Sequence, residues 1–381
     1  MMPAHNTDKL FKLRPMISRL NDNYVKLYNV SKTLSIDESM ILFKGRSSLK
    51  QYNPKKPIKR GYKLWMRADM DGYITKFDVY QGKSGQKGKE DAYPGIGLGE
   101  RVIVDLTKDL FGKNHQVYFD NYFSAVPLVE HLKANGVQAC GTIRPDRKYL
   151  PTNLMSEKSM ERGQADYRVS DQDITFFKWM DNRAVHVISN FHGTELGTIK
   201  RTQKDGTKKD FSCPIAIREY NEQMGGVDKA DMLCAVYGIG RKSKKWWHRI
   251  FFGLVDRTLV NAAIAHNKME RDNMSLLNFR RSVAQSLMTL CRKPKAGRSP
   301  KGTPPSVVSK RRRVEYSVSS GMRLQNRGAH WPTYSKLRGR CEVCSKQGIE
   351  SRPHCKCSMC GVFLCSNEKK NCFLEFHEVD C

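Results

Sequence analysis

The chain has 381 residues, enough for one large body or two to three ordinary ones with ample core. Lys and Arg outnumber Asp and Glu by 67 to 38, and the resulting +29 formal charge points to a polyanionic partner. No run approaches 18 apolar residues, the N-terminus lacks a signal-peptide core, and no basic amphipathic helix or lipidation signal is present. The expectation is therefore a chain that is neither secreted nor membrane-bound.

Residues 8 to 29 carry apolar side chains at three-to-four spacing, with Pro15 marking where the firmer helix starts. Leu34 to Asp37 reads as a short strand, followed by a basic loop from Lys50 to Arg60 containing Pro54 and Pro57. Tyr62 to Met70 and Tyr73 to Tyr80 alternate around Asp71-Gly72, which predicts a hairpin. Val102 to Phe111 and Pro127 to Asn135 read as helices, Gln116 to Phe119 and Val137 to Ile143 as strands. That order predicts a mixed α/β domain around one central sheet. From Pro145 to Cys213 the pattern turns to short polar strands, such as Thr175 to Met180 and Ala184 to Ser189, with basic turns over Lys200 to Lys209; it reads as an insertion. Helical patterning resumes over Ile217 to Met224, Lys229 to Tyr237 and Lys245 to Met269. Lys293 to Arg313 is rich in Pro, Ser and Lys without periodicity, as a linker is.

Three phrases place acids where chemistry could use them: Ile36-Asp37-Glu38, Phe119-Asp120-Asn121 and Gly225-Gly226-Val227-Asp228 with Asp231. Taken singly, Asp37 and Asp120 could be turn formers at strand ends, and Asp228 an N-cap with Asp231 favouring the helix dipole. If the two strands are sheet neighbours, both acids leave from the same end, and Asp228 and Asp231 share one helix face. Carboxylates about 4 Å apart repel by roughly 4 kcal/mol per pair at an effective dielectric near 20. Such a cluster needs a divalent cation, and hard oxygen ligands suit two Mg²⁺ or Mn²⁺ ions of a phosphoryl-transfer site.

Arg241, Lys242, Lys244, Lys245 and Trp246 form a compact basic-aromatic block. Cations of this kind neutralise phosphates and an indole can stack on an unpaired base. The alternative is that Trp246 and Trp247 begin a core helix with Phe251 and Phe252, and for Trp247 that reading is preferred. Between Arg241 and Arg313 there are 19 Lys/Arg and 3 Asp/Glu, so this stretch supplies +16 (19 − 3) of the total. Lys310-Arg311-Arg312-Arg313, with Arg292-Lys293-Pro294-Lys295 upstream, reads as a nuclear import signal for importin. Eight of twelve cysteines fall in the last 41 residues. Two CxxC pairs (Cys341/Cys344 and Cys357/Cys360) with Cys365, Cys372, His377 and Cys381 suffice for two tetrahedral Zn²⁺ sites. His354 and Cys355 are spare candidates.

These phrases, together with Phe43-Lys44-Gly45-Arg46, Tyr220-Asn221-Glu222-Gln223-Met224 and the Arg241-Lys242-Ser243-Lys244-Lys245-Trp246-Trp247 segment, resemble the piggyBac family of DNA transposases. The resemblance runs from about residue 10 to the C-terminus. It implies an RNase H-like (DDE/D) core with Asp37, Asp120 and Asp228 as the metal-binding triad and Asp231 as an accessory acid. It also implies cut-and-paste transposition through hairpin intermediates, double-stranded transposon ends and TTAA targets as partners, a homodimer, and action in the nucleus. Trp246 matches a family tryptophan where the hairpin is handled. By the same resemblance the cysteine tail is an interleaved, cross-braced module, with Cys341, Cys344, Cys365 and Cys372 on one Zn²⁺ and Cys357, Cys360, His377 and Cys381 on the other. Cross-braced modules also occur in ubiquitin ligases; the family's version binds DNA or chromatin.

The expected layout is a remnant of a helical dimerisation and DNA-binding domain over residues 1–33, core over 34–144, an insertion domain over 145–214 and the last catalytic helix over 215–236. A helical DNA-binding and dimerisation part over 237–292, a basic linker over 293–340 and a zinc domain over 341–381 complete it. Family members usually carry a long region ahead of the first aspartate, whereas 36 residues precede Asp37 here. That departure implies an opening helix with an unpaired apolar face. It also keeps open a second reading, a catalytically silent nuclear DNA- or chromatin-binding protein of transposon origin.

Overall fold

The structure, a computed structural model, describes residues 8–82, 96–203, 205–241, 243, 245–271, 273–291 and 317–378. Two units divide the chain, Met1–Lys293 and Pro294–Cys381. In the first, α1 (Arg14–Lys26) leads to β1 (Thr33–Leu42), β2 (Lys50–Tyr52), β3 (Arg60–Asp69) and β4 (Ile74–Val79). Then come α2 (Leu98–Thr107), β5 (Gln116–Phe119), α3 (Val126–Ala134), β6 (Gln138–Thr142), β7 (Ala165–Val169), β8 (Thr175–Met180) and β9 (Ala184–Ser189). A ribbon of β10 (Leu196–Thr202) and β11 (Lys208–Pro214) precedes α4 (Ile215–Gln223), α5 (Gly226–Val236), α6 (Trp246–Glu270) and α7 (Leu276–Cys291).

The main sheet runs β2-β3-β1-β5-β6-β9-β8-β7, with β4 paired to β3. β1, β5 and β6 are mutually parallel at its centre, and β3 and β9 join them antiparallel on either side. The fold is mixed α/β, as the element order predicts. Residues 145–214, expected as an insertion, supply three strands that extend this same sheet plus the separate β10–β11 ribbon.

Alternation along the strands divides the core. Ile36, Trp65 and Phe119 point to the face covered by α2 and α3, where they meet Ile103, Val129 and Leu132. Met66 and Ile41 point to the opposite face and pack with Ile250 and Leu254 of α6. Tyr118 and Cys140 meet Ala216 and Ile217 of α4. The β3–β4 turn uses Gly72 at φ +87°, and Asp69 Oδ1 accepts from the Asp71 and Tyr73 amides at 3.0 Å each. That left-handed step favours glycine.

α1 begins where Pro15 sits in its first turn. Its apolar face is not unpaired, contrary to expectation. Leu13, Ile17 and Tyr24 are buried against β3 and β4, in one cluster with Met66, Phe77 and Val79. Asn21 Nδ2 donates to Phe77 O and Asn21 Oδ1 accepts from Phe77 N, at 2.9 and 2.8 Å, and Tyr28 stacks on Tyr73 at 3.8 Å. Burying such side chains contributes about 1.5–3 kcal/mol each, so the sheet itself supplies the partner the helix needs. α7 folds back on α6, where Arg280 Nη2 meets Asp256 Oδ1 at 2.6 Å and His266 packs on Phe279.

The second unit is small: α8 (Ser320–Leu324), β12 (Pro332–Tyr334), α9 (Glu342–Lys346), β13 (Cys355–Cys357) and α10 (Cys372–Glu378). β12 and β13 pair antiparallel, and the core is little more than Val343, Leu364 and Phe376 among cysteines. So small a core needs cross-links or metal to hold it. The proposed import signal at 310–313 and its upstream cluster at 292–295 lie outside the described residues.

Candidate functional site

β1 and β5 are in register with Ser35 opposite Tyr118 and Ile36 opposite Phe119. One residue further on, Asp37 in the middle of β1 sits beside Asp120, which follows the carboxyl end of the parallel β5; open α/β sheets form their binding crevices at such strand ends. α5 lies against β1 on the face of Ser35, Asp37 and Ser39. Gly226 permits this approach: a Cβ there would fall 2.3 Å from Asp69 O and 2.6 Å from Ser35 Oγ. The first turn of α5 then carries Asp228 to the same end of the sheet.

Lys56, from the loop joining β2 to β3, joins two of these acids. Its ammonium stands 2.5 Å from Asp37 Oδ2 and 3.0 Å from Asp228 Oδ1. Asp231, three residues on, is engaged elsewhere. Ser39 Oγ donates to it at 2.5 Å and Arg257 Nη2 at 3.2 Å, while Arg257 also donates to Ser39 Oγ at 2.5 Å. The two acids of α5 therefore face different cations.

Burial pushes the Asp37 carboxyl up to about 6 despite the opposing pull of Lys56, and it raises Asp120 too. Burial likewise raises Asp231 against the pull of Arg257. Lys56 feels burial in the opposite sense, but Asp37 and Asp228 outweigh it and its pKa is raised. Lys63, with its ammonium 3.8 Å above the Trp65 ring, is lowered by burial. The donors are hard carboxylate oxygens, and an ammonium already stands where they need positive charge. That chemistry fits a divalent cation. The oxygens are not gathered to coordinate one: among the described residues, only the Cys/His groups below bring three or more candidate ligand atoms within 4.8 Å of one another.

From Asp228 a cleft of about 690 Å³ runs between β1, the β2–β3 loop, α5 and α6, past Met40, Leu42, Met232 and Arg249. Near it the basic-aromatic block enters α6. Arg241 lies over Phe252 at 5.6 Å, and Lys245 is exposed. Lys242 and Lys244 lie outside the described residues. Trp246 and Trp247 are both half-buried against the β3–β4 side of the core.

In the second unit, Cys341, Cys344, Cys365 and Cys372 form one group, and His330, Cys357, Cys360 and His377 another, each within 4.8 Å. Cys344 Sγ lies 3.8 and 3.6 Å from the Cys365 and Cys372 sulfurs. Cys360 Sγ lies 3.3 Å from His330 Nδ1 and 3.5 Å from His377 Nε2. A tetrahedral ion with metal–sulfur bonds near 2.3 Å and metal–nitrogen bonds near 2.0 Å requires edges of about 3.8 Å and about 3.5 Å. The other nitrogen of each histidine faces a backbone carbonyl: His330 Nε2 meets Gln325 O at 3.0 Å and His377 Nδ1 meets Phe373 O at 2.7 Å. A proton held there leaves the inward nitrogen free to ligate. Each group could hold a metal ion. His330 takes the fourth place expected for Cys381, which lies outside the described residues. His354 and Cys355 belong to neither group.

A DDE-type transposase family, described as Transposase IS4, matches residues 2–263. PiggyBac transposable element-derived protein 3 of Homo sapiens is 36% identical over 281 residues, 72% of this chain and 47% of that protein. The chain belongs to the piggyBac-type transposase family. PiggyBac transposable element-derived protein 2 of Homo sapiens is 28% identical over 350 residues, 90% of this chain and 56% of that one. The chain thus spans about half the length of these two relatives. A piggyBac transposase, solved by cryo-EM in a synaptic complex with hairpin DNA, superposes with a TM-score of 0.66 at 21% identity. It covers 93% of this chain and 76% of its own, a likeness of fold.

Three residues of this piggyBac-type chain carry the geometry without standing out in the sequence. Lys56 hides among four other cations of the Lys50–Arg60 loop, marked only by Pro54 and Pro57 around it. Arg257 had a readable signal, a charged pair with Asp256 inside the apolar run of α6. His330 has none, since it lies eleven residues before Cys341 with no CxxC-like local partner.

Proposed function

We propose that this chain is the core of a piggyBac-type transposase that cleaves DNA strands and joins them to TTAA targets in a divalent-metal-dependent reaction. The observation that carries this reading is the meeting of Asp37 and Asp228 on one cation, beside Asp120 at the same sheet end. Asp37, Asp120 and Asp228 would hold Mg²⁺ or Mn²⁺, two ions in all. When bound, such ions activate the attacking oxygen and stabilise the leaving 3′-oxygen. Asp231, tied to Ser39 and Arg257, fixes α5 on β1 and so positions Asp228. Arg241, Lys245 and, from the sequence, Lys242 and Lys244 draw in the phosphate backbone, and Trp246 borders the entry to α6. The two Cys/His groups would take one Zn²⁺ each, stabilising a module that contacts DNA or chromatin. Importin-mediated entry to the nucleus and a homodimer complete the reading. No described helix is long and apolar enough to cross a membrane.

The test is Mg²⁺-dependent nicking of a TTAA-flanked duplex end, comparing wild type with Asp120→Ala. Nicking by wild type alone is expected, and equal products from both discard the role of Asp120. A second reading, a silent DNA-binding protein, is supported by the two relatives being named as element-derived proteins. It predicts tight DNA binding with no nicking by either form.

A further inference from the structure

We propose that Lys56 is a built-in, removable counter-ion for the acid site, occupying in the metal-free protein the position between Asp37 and Asp228 that a divalent cation must take over. This rests on the reading of those two aspartates as metal ligands. The geometry is specific. The ammonium contacts one oxygen of each acid, at 2.5 and 3.0 Å, and only 15% of the Lys56 side chain is exposed.

The loop that delivers it is clamped at its base. Asn53 N donates to Lys59 O at 2.8 Å, and Asn53 Nδ2 donates to Glu38 Oε1 at 2.6 Å. Pro54 and Pro57 bracket the lysine and stiffen the loop on both sides. Asp228 itself is 70% exposed on the first turn of α5, so the lysine is what turns its carboxylate toward Asp37.

The contrast with Asp231 separates two kinds of cation. Arg257 is buried, 4% exposed, and its guanidinium is fixed by Ser39, Asp231 and the Gly253 carbonyl. It is a permanent partner. Lys56 is a single flexible charge at a loop tip beside an open cleft. One positive charge between two carboxylates is less than a divalent ion supplies, so the ion can displace it. Once displaced, the ammonium has the cleft before it, where a substrate phosphate oxygen is the complementary acceptor.

The test uses the full chain with its Cys/His sites loaded, in chelator-free buffer depleted of other divalent ions and without DNA. Mn²⁺ affinity is measured by calorimetry for wild type, Lys56→Met, Lys56→Gln, Lys63→Met and Asp37→Asn, with thermal melts before and after Mn²⁺. Both Lys56 variants are expected to bind Mn²⁺ on the order of tenfold more tightly, since a charge-assisted contact no longer has to be broken. They should melt below wild type without Mn²⁺ and draw level with it at saturation. Lys63→Met removes an equal charge nearby without touching Asp37 and should gain much less. Asp37-dependent binding that is no tighter in the Lys56 variants, or a gain in Lys63→Met as large as theirs, overturns the displacement role and leaves the metal reading standing. Wild-type binding that survives Asp37→Asn unchanged removes the metal reading and this proposal together.

Discussion

Asp37 is costly to the folded state, and its removal should therefore stabilise the protein. Its carboxyl is 13% exposed and ionises at about 6 instead of 3.8, chiefly because burial disfavours the charged form. At about 1.4 kcal/mol per pH unit, the difference corresponds to about 3 kcal/mol at neutral pH, with the help of Lys56 already included. Between 3.8 and about 6 the native state binds more protons than the unfolded chain, so stability falls as pH rises through that window and stays lowered above it. Asp37→Asn keeps the shape and has no proton to lose. Without added divalent ions it is expected to raise the melting temperature of the 1–293 body by about 6 °C near pH 7, at about 2 °C per kcal/mol for a body of this size. Near pH 4 the gain should shrink to well under 1 kcal/mol. Differential scanning fluorimetry across that range, without a chelator that would strip the second unit, measures both. A variant less stable than wild type at neutral pH would refute the reasoning, because the Lys56 contact would then outweigh the burial of charge.

Arg257→Met should destabilise by about 3 kcal/mol, since it leaves Asp231 facing the β1–α5 contact without its cation. Asp231→Asn in the same chain should restore part of the loss in a double-mutant cycle, and strict additivity would mean the two are not coupled. Native mass spectrometry should find two zinc ions per chain, one for each Cys/His group, with one lost in Cys344→Ser and one in His330→Ala. Cys381→Ser should keep both; loss of an ion there, with His330→Ala unaffected, reverses the assignment. Lys245→Ala, at an exposed position, should leave the melting temperature unchanged and reduce the salt dependence of duplex binding by about one unit of slope. An unaltered slope removes Lys245 from the interface.

What the sequence carried legibly was whatever repeats at a fixed period with one side buried. The strands 116–119, 175–180 and 184–189 were readable to the residue because each has a continuous apolar face. β1 was read only to Asp37, although it continues to Leu42, because Asp37, Glu38 and Ser39 interrupt the apolar pattern. Those polar residues sit inside the strand because they serve the site or its clamp: Ser39 holds Arg257, and Glu38 accepts from Asn53. The β10–β11 ribbon was read as a basic turn over 200–209 because the middle of the ribbon alternates between half-exposed and exposed positions, which gives no hydrophobic signal. The adjacency of Asp37 and Asp120 was legible only on the condition that their strands are sheet neighbours, which the pairing of β1 with β5 meets. The partners of the acids were not, since Lys56 and Arg257 arrive from elements 19 and 220 positions away from Asp37 in the chain.

The charge layout explains why a basic protein keeps acids at its centre. A polyanion is drawn to a chain carrying +29 in all, yet a phosphate reaching the end of β5 meets Asp37, Asp120 and Asp228. Like charges close together in a half-buried site repel by several kcal/mol, so neither the phosphate nor the acids can settle there without cations between them. The cations of the chain divide that task by mobility. Arg257 is buried and fixed to Asp231, Lys63 lies over Trp65, and among the described residues Lys56 alone bridges two of the three acids, from a loop that opens onto the cleft. Divalent ions and a phosphodiester each meet an obstacle at this site in the absence of the other: the ions must displace Lys56, and the phosphate must approach carboxylates that a single ammonium only partly offsets. Bound together, each removes the other's obstacle. Thermodynamic reciprocity then requires that DNA raise metal affinity by the same factor that metal raises DNA affinity.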